Sequence, residues 1–168
     1  MSDKNFPMHK RAFTITNDNI CRRLITKAKI FYDNRNIEII ALWDTGATGS
    51  CISESVVKDL SLIHTGKQDI QTPSGKDTVN TYLVDIELPN NVLIKNVVVC
   101  DSQIGKQGLG LLVGMDIITQ GDFIVNNRDD KTIFSFSVPP THKIDFVKEI
   151  NLENLIGPKH GQGKRRKK

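Results

Sequence analysis

Asp44 is the residue whose surroundings most clearly fit chemistry. It stands in Ala41-Leu42-Trp43-Asp44-Thr45-Gly46-Ala47-Thr48, just after the apolar residues Ile37, Ile39, Ile40, Ala41, Leu42 and Trp43. That run reads as a buried strand, and it delivers a carboxylate into a tight Thr-Gly turn. An ionised carboxylate at the end of a buried strand is costly unless hydrogen bonds or a partner charge compensate it. A carboxylate in such a place is a candidate acid or base. Asp-Thr-Gly by itself is also a common turn tripeptide, so the triplet needs a second, independent segment beside it.

Leu111-Leu112-Val113-Gly114-Met115-Asp116-Ile117-Ile118 is such a segment: an apolar run, a glycine, then a short helical stretch. Asp44 and Gly114 lie 70 residues apart, enough for one mostly β unit between the two segments. Asp116 carries a second carboxylate, but its place at the start of a short helix fits capping or pairing better than catalysis. Cys51, seven residues after Asp44, could be taken for a nucleophile. A catalytic cysteine needs a histidine partner, and His9, His64, His142 and His160 offer no supporting context. Cys51 is read as a small buried side chain behind the loop. Cys21, Cys51 and Cys100 are an odd set with no close spacing, which argues against a disulfide framework and against zinc. Gly105, Gly108 and Gly110 do not match a dinucleotide fingerprint.

In their order and separation, the Asp44-Thr45-Gly46-Ala47 segment and the Leu111–Ile118 segment resemble the two signatures of aspartic proteases. Only one Asp-Thr-Gly triplet is present, so the resemblance is to the retroviral-type, single-lobe (retropepsin-like) members, which build one site from two identical chains. It covers about Ile20 to Pro140 and is closer to bacterial than to viral members. The resemblance implies a mostly β fold, a closed barrel with one or two short helices, and a homodimer acting on polypeptide substrate. It assigns Asp44 as the catalytic acid/base. Thr45 would buttress the loops across the two-fold axis, Gly46 would leave room for substrate backbone, and Ala47 would complete the loop. Thr72, Ser74, Gly75 and Val79 fall where the family has a mobile flap. Together with Val113 and Gly114 they are the expected substrate contacts, and Leu42 and Ile117 would add to an apolar pocket lining. No cofactor or metal is implied, because water is the nucleophile. The alternative function is a dimer on the same fold that grips extended peptides without cutting them.

The elements that must position these residues can be read from local patterns. Leu24–Phe31 alternates apolar and polar residues, Tyr32–Asn36 is a turn cluster, and Ile37–Trp43 follows, so a hairpin is expected. Ser53–Leu60 reads as a short helix with Ser53 as its cap. Thr72–Asp77 is a turn leading into Thr78–Leu88, with Gly75 free to adopt unusual dihedrals near a hairpin tip. Val92–Cys100 is a further strand with a core segment at Val97–Val99. Phe123–Val125 and Thr132–Val138 flank Asn126–Asp130 as another hairpin, where viral members have a single terminal strand. Ile144, Val147 and Ile150 have helical spacing, and a short helix to about Leu155 is expected.

The chain of 168 residues fits one domain with extensions. The expected division is a polar, poorly ordered extension over 1–20, the β domain over 21–140, a short helix within 141–157, and a basic tail over 158–168. The net charge of +4 belongs to that tail: residues 159–168 hold six basic residues and no acids, leaving 17 basic against 19 acidic elsewhere. Nucleic-acid binding is therefore expected of the tail at most, and a solubilising role suits it better. No apolar run approaches a membrane span and no signal peptide is visible, so no membrane association and a cytoplasmic location are expected.

Overall fold

The computed structural model describes residues 10–72 and 75–156. Among these residues, ten strands and three short α-helices follow in order: β1 Arg11–Asn17, β2 Leu24–Tyr32, β3 Arg35–Trp43, β4 Cys51–Ser53, α1 Glu54–Asp59, β5 Gly66–Thr72, β6 Gly75–Leu88, β7 Val92–Ser102, β8 Leu111–Val113, α2 Met115–Ile118, β9 Asp122–Asn126, β10 Thr132–Val138 and α3 Phe146–Ile156. One sheet runs β2-β3-β8-β4-β7-β6-β5, and β2 also pairs with β6. That extra pairing, Lys29↔Glu87 to Phe31↔Asp85, closes six strands into a barrel and leaves β5 as an added arm on β6. Closure removes the free edges that an open sheet would expose.

Alternation along the strands explains the core. Ala28 and Ile30 on β2, Ala41 and Trp43 on β3, and Val84, Ile86 and Leu88 on β6 all point inward and are buried. The β2–β3 hairpin forms as the sequence predicts, but its turn shrinks to Asp33 and Asn34, with Asp33 at φ 51°. Strand pairing extends as far as Tyr32↔Arg35 because each added pair satisfies backbone groups. The α1 helix starts as expected, with the Val56 N–H donating to Ser53 Oγ at 3.4 Å.

Three strands, in the order β1-β10-β9, form a second sheet. Here the polar-extension reading of residues 1–20 needs correction for its second half. Arg11–Asn17 is a strand, paired from Arg11↔Val138 to Asn17↔Thr132. The reason is packing: Phe13 is buried and meets Trp43, Phe134 and Phe136 at ring-centroid distances of 5.7, 5.7 and 6.2 Å. Trp43 stacks on Phe123 at 5.5 Å, with 11° between the ring planes. These rings join the small sheet to the barrel. The segment after β10 is tethered by Asp122, whose Oδ2 accepts from the Thr141 N–H at 2.7 Å, the His142 N–H at 3.0 Å and, as a close contact, His142 Nδ1 at 2.8 Å. Those backbone donors and the His142 ring hold the Asp122 carboxyl down at about 2.

Candidate active site

The two segments that stand out in the sequence meet on adjacent strands of the barrel. Strand β8 lies parallel to β3, with Ala41↔Leu111, Leu42↔Leu112 and Trp43↔Val113 in register, and antiparallel to β4 on its other edge. The end of β3 is therefore fixed on the end of β8. Pairing continues one residue further, as the Asp44 N–H donates to the Val113 carbonyl at 3.0 Å. From there the loop departs.

Alternation at the strand end separates two adjacent side chains. Trp43 is buried, with its Nε1–H donating to Thr26 Oγ1 at 3.1 Å, and Asp44 faces the other way and is half-buried. Asp44 Oδ1 accepts the Gly46 N–H at 2.8 Å, and its carbonyl accepts the Ala47 N–H at 3.2 Å. A Cβ at Gly46 would stand 3.1 Å from Asp44 Oδ1, so the missing side chain lets the Gly46 amide meet the carboxylate closely. Thr45 and Gly46 are exposed and Ala47 is half-buried. These four residues form one continuous surface feature.

Beneath the loop lies a polar brace. Ser50, 2 % exposed, donates its hydroxyl to Asp116 Oδ1 at 2.7 Å and accepts the Gly114 N–H at 3.0 Å. Its own N–H donates to Asp116 Oδ2 at 3.0 Å. The Met115 and Asp116 N–H groups donate to the carbonyls of Ala47 and Thr48 at 2.8 and 3.1 Å. Asp116 is thus committed at both oxygens, its Oδ1 also accepting the Ile117 N–H at 3.0 Å. Sequence reading placed Asp116 at the helix start but missed Ser50. The serine follows the active loop directly, and a small hydroxyl residue at that point was the available clue.

Two expected substrate contacts are corrected. Val113 is fully buried, because β8 is a central strand whose alternation sends Leu111 and Val113 into the core. Gly114 is also buried, and its N–H is taken by Ser50. A Cβ there would meet the Gly49 carbonyl carbon and oxygen at 2.6 Å and Ala47 O at 3.0 Å, so glycine lets the turn close against the loop. Both residues brace the site instead of lining it. Ile117 is likewise fully buried, and half-buried Leu42 packs beside Cys51, Ile104 and Leu109.

The hairpin expected as a flap is present. Strands β5 and β6 pair from Gly66↔Thr81 to Thr72↔Gly75. Gly75 has φ +126°, a conformation that L side chains rarely adopt, which accounts for glycine there. Thr72 ends β5, and Ser74 lies outside the described residues. Val79 is half-buried and lines a groove of ≈ 470 Å³ together with Ile70, Asn80, Asp101 and Gln103. Asp101 ties this hairpin to β7, accepting the Asn80 N–H at 3.0 Å and the Tyr82 hydroxyl at 3.4 Å. Burial first, and then the Asp101 charge, push the Tyr82 hydroxyl pKa upward.

No family model and no curated protein matches the sequence. Among solved structures, the chain is similar to a retropepsin-like aspartic protease from Rickettsia conorii, at 16 % identity and a TM-score of 0.52, over 79 % of this chain and 98 % of that one. Weaker likenesses reach the protease of simian foamy virus (19 % identity, TM-score 0.41, 55 % of this chain and 89 % of that one) and the retroviral protease-like domain of Ddi1 from Leishmania major (11 %, 0.39, 66 % and 93 %). The six-stranded barrel, with β8 between the strand that carries Asp44 and β4, has the single-lobe retropepsin-like fold.

Proposed function

We propose that this chain is an aspartic endopeptidase that works as a homodimer, with Asp44 of each chain facing the other across a two-fold axis. The observation that carries the reading is the contrast between two carboxylates. Asp116 has both oxygens occupied by internal donors, whereas among the described residues Asp44 engages only Oδ1, with its own loop. One chain therefore offers one working carboxylate at this place, and a second copy supplies the other.

Two carboxylates held close cannot both ionise easily and share a proton, and aspartic proteases are the standard example of this effect. The titration then belongs to the pair. The ionised member takes a proton from water, whose oxygen attacks the scissile carbonyl carbon. The protonated member gives its proton to the carbonyl oxygen. A proton then passes to the departing amine as the tetrahedral species collapses. Neither a metal nor a covalent enzyme intermediate is needed. In this reading Thr45, exposed beside Asp44, meets the loop of the second copy. Substrate lies extended against the β5–β6 hairpin and pairs through its main chain as an added strand. We assign the activity to the cytoplasm.

The test is cleavage of a mixed peptide library by wild type and Asp44→Asn between about pH 4 and 7, where a shared-proton pair acts. The substitution hardly changes volume and should cut cleavage at least about a hundredfold with the fold unchanged. Equal cleavage by the mutant would remove Asp44 from the mechanism. Stoichiometric peptide binding without turnover by folded wild type would replace hydrolysis with peptide capture.

A further inference from the structure

Cys51 and Cys100 are far apart in sequence, yet strands β4 and β7 set them side by side. They are register partners in the parallel ladder Cys51↔Cys100, Ile52↔Asp101, Ser53↔Ser102. Neighbouring strands lie about 4.8 Å apart, within the roughly 4.4–6.8 Å Cα separation of disulfides. Both cysteines are free thiols. Cys51 is buried in a small cluster with Ile104 and Leu109, against which Cys100 packs from a more accessible position.

We propose that this pair is a redox-modification site, at which small disulfides of the oxidised glutathione class react with Cys100 and Cys51 then closes an intramolecular disulfide. The two thiols are not equivalent. The Cys51 hydrogen bond to Cys100 lowers the Cys100 thiol pKa, and the same contact together with burial pushes that of Cys51 far up. Cys100 is also the more accessible of the two, so it is the group that attacks once it has lost its proton, and buried Cys51 is the resolving group. In the first step the Cys100 thiolate attacks one sulfur of the small disulfide, breaking its S–S bond and releasing one thiol. In the second, Cys51 gives up its proton and attacks the Cys100 sulfur, releasing the second thiol. The protein dithiol is oxidised by two electrons, and the small disulfide is reduced to two thiols that take up the protons.

The position gives the reaction a consequence. Ser50 precedes Cys51, and its carbonyl accepts the Cys100 N–H at 3.2 Å. Ser50 also holds Gly114 and Asp116 under the Asp44 loop. A disulfide here bolts β4 to β7 one residue from the brace of the candidate active site. The proposal does not depend on the chain being a protease.

The test treats the folded full chain with oxidised glutathione, then follows intact mass, thiol count and a peptide map under native-like conditions. At the pair, wild type is expected to lose two thiols and the mass of two hydrogens, with Cys51 linked to Cys100. Cys51→Ser should retain glutathione on Cys100, and Cys100→Ser should react at the pair at least about tenfold more slowly, since only the buried thiol remains. Cys21, bonded elsewhere through its N–H to Thr132, serves as the internal reference. A lasting glutathione adduct on Cys100 in wild type, or modification confined to Cys21, would overturn the proposal. Should either serine variant misfold, the wild-type peptide map decides alone.

Discussion

Around Trp43, rings from β1, β3, β9 and β10 meet at centroid distances of 5.1 to 6.2 Å, and the indole N–H donates to Thr26. Around Asp44, one residue later, the chain is held instead by directional bonds of 2.7 to 3.2 Å from Ser50, Gly114, Met115 and Asp116. The aromatic region gains from apolar burial and ring packing, which are tolerant of small shifts and add up over area. The loop region gains little net stability per bond, but each bond fixes a position, and a buried donor that loses its partner is expensive. The first region holds the small sheet to the barrel, and the second fixes where a carboxylate points. Substitutions should separate the two, because damage to the rings lowers stability and damage to the brace changes the shape of the site.

The largest stability effect is expected at the rings. Trp43→Ala should cost about 3–5 kcal/mol in denaturant unfolding, while folded molecules keep the Asp44 loop, since its bonds to Val113 and Gly46 are made by backbone groups and Asp44 itself. A loss below about 1 kcal/mol would remove the aromatic anchor from this comparison. Ser50→Ala should cost less, about 1–3 kcal/mol, by leaving the buried Gly114 N–H and one bond to Asp116 unmet. Its clearer signature is faster amide exchange at Gly114, which the tryptophan change should not produce in the folded state.

Much of this division was legible from sequence, for reasons that differ by element. Strands β2, β3, β6 and β7 declare themselves through alternation, the Asp44 segment through an apolar run ending in a tight turn, and the Gly114 segment through an apolar run, a glycine and a short helix. Strand β1 was missed because only Phe13 and Ile15 mark its inward face among polar neighbours, and what orders it is a sheet partner more than a hundred residues away. Strand β5 has Ile70 as its one large apolar residue and is held by pairing to β6. The Cys51–Cys100 pairing needs strands β4 and β7 to run parallel, which no local pattern announces. Val113 and Gly114 were recognised as a motif but given a contact role. Their burial follows from β8 lying between two strands, a fact of topology more than of composition.

The smallest effect is expected at the far end of the small sheet, where Asp122 ties down the chain after β10. Its folded-state pKa, about 2, lies below the ordinary 3.8. A lowered carboxylate stabilises fully above the ordinary value and loses that contribution as pH falls toward the folded one. The Thr141 and His142 amides should therefore lose protection as pH drops from about 3.8 toward 2. Asp122→Asn should remove that dependence, with the Trp43 cluster unaffected at neutral pH. Protection that is flat across this range in wild type would mean that other contacts hold the segment.

The central claim, that one site needs Asp44 from two chains, is tested most directly by mixing. Wild type and Asp44→Asn are co-refolded in varying proportion at constant total protein, and peptide cleavage is measured. A shared site predicts activity that follows the square of the wild-type fraction, about a quarter of full activity at equal amounts under random pairing. Activity proportional to the wild-type fraction, about half at equal amounts, would mean that each chain works alone and would contradict the two-chain site.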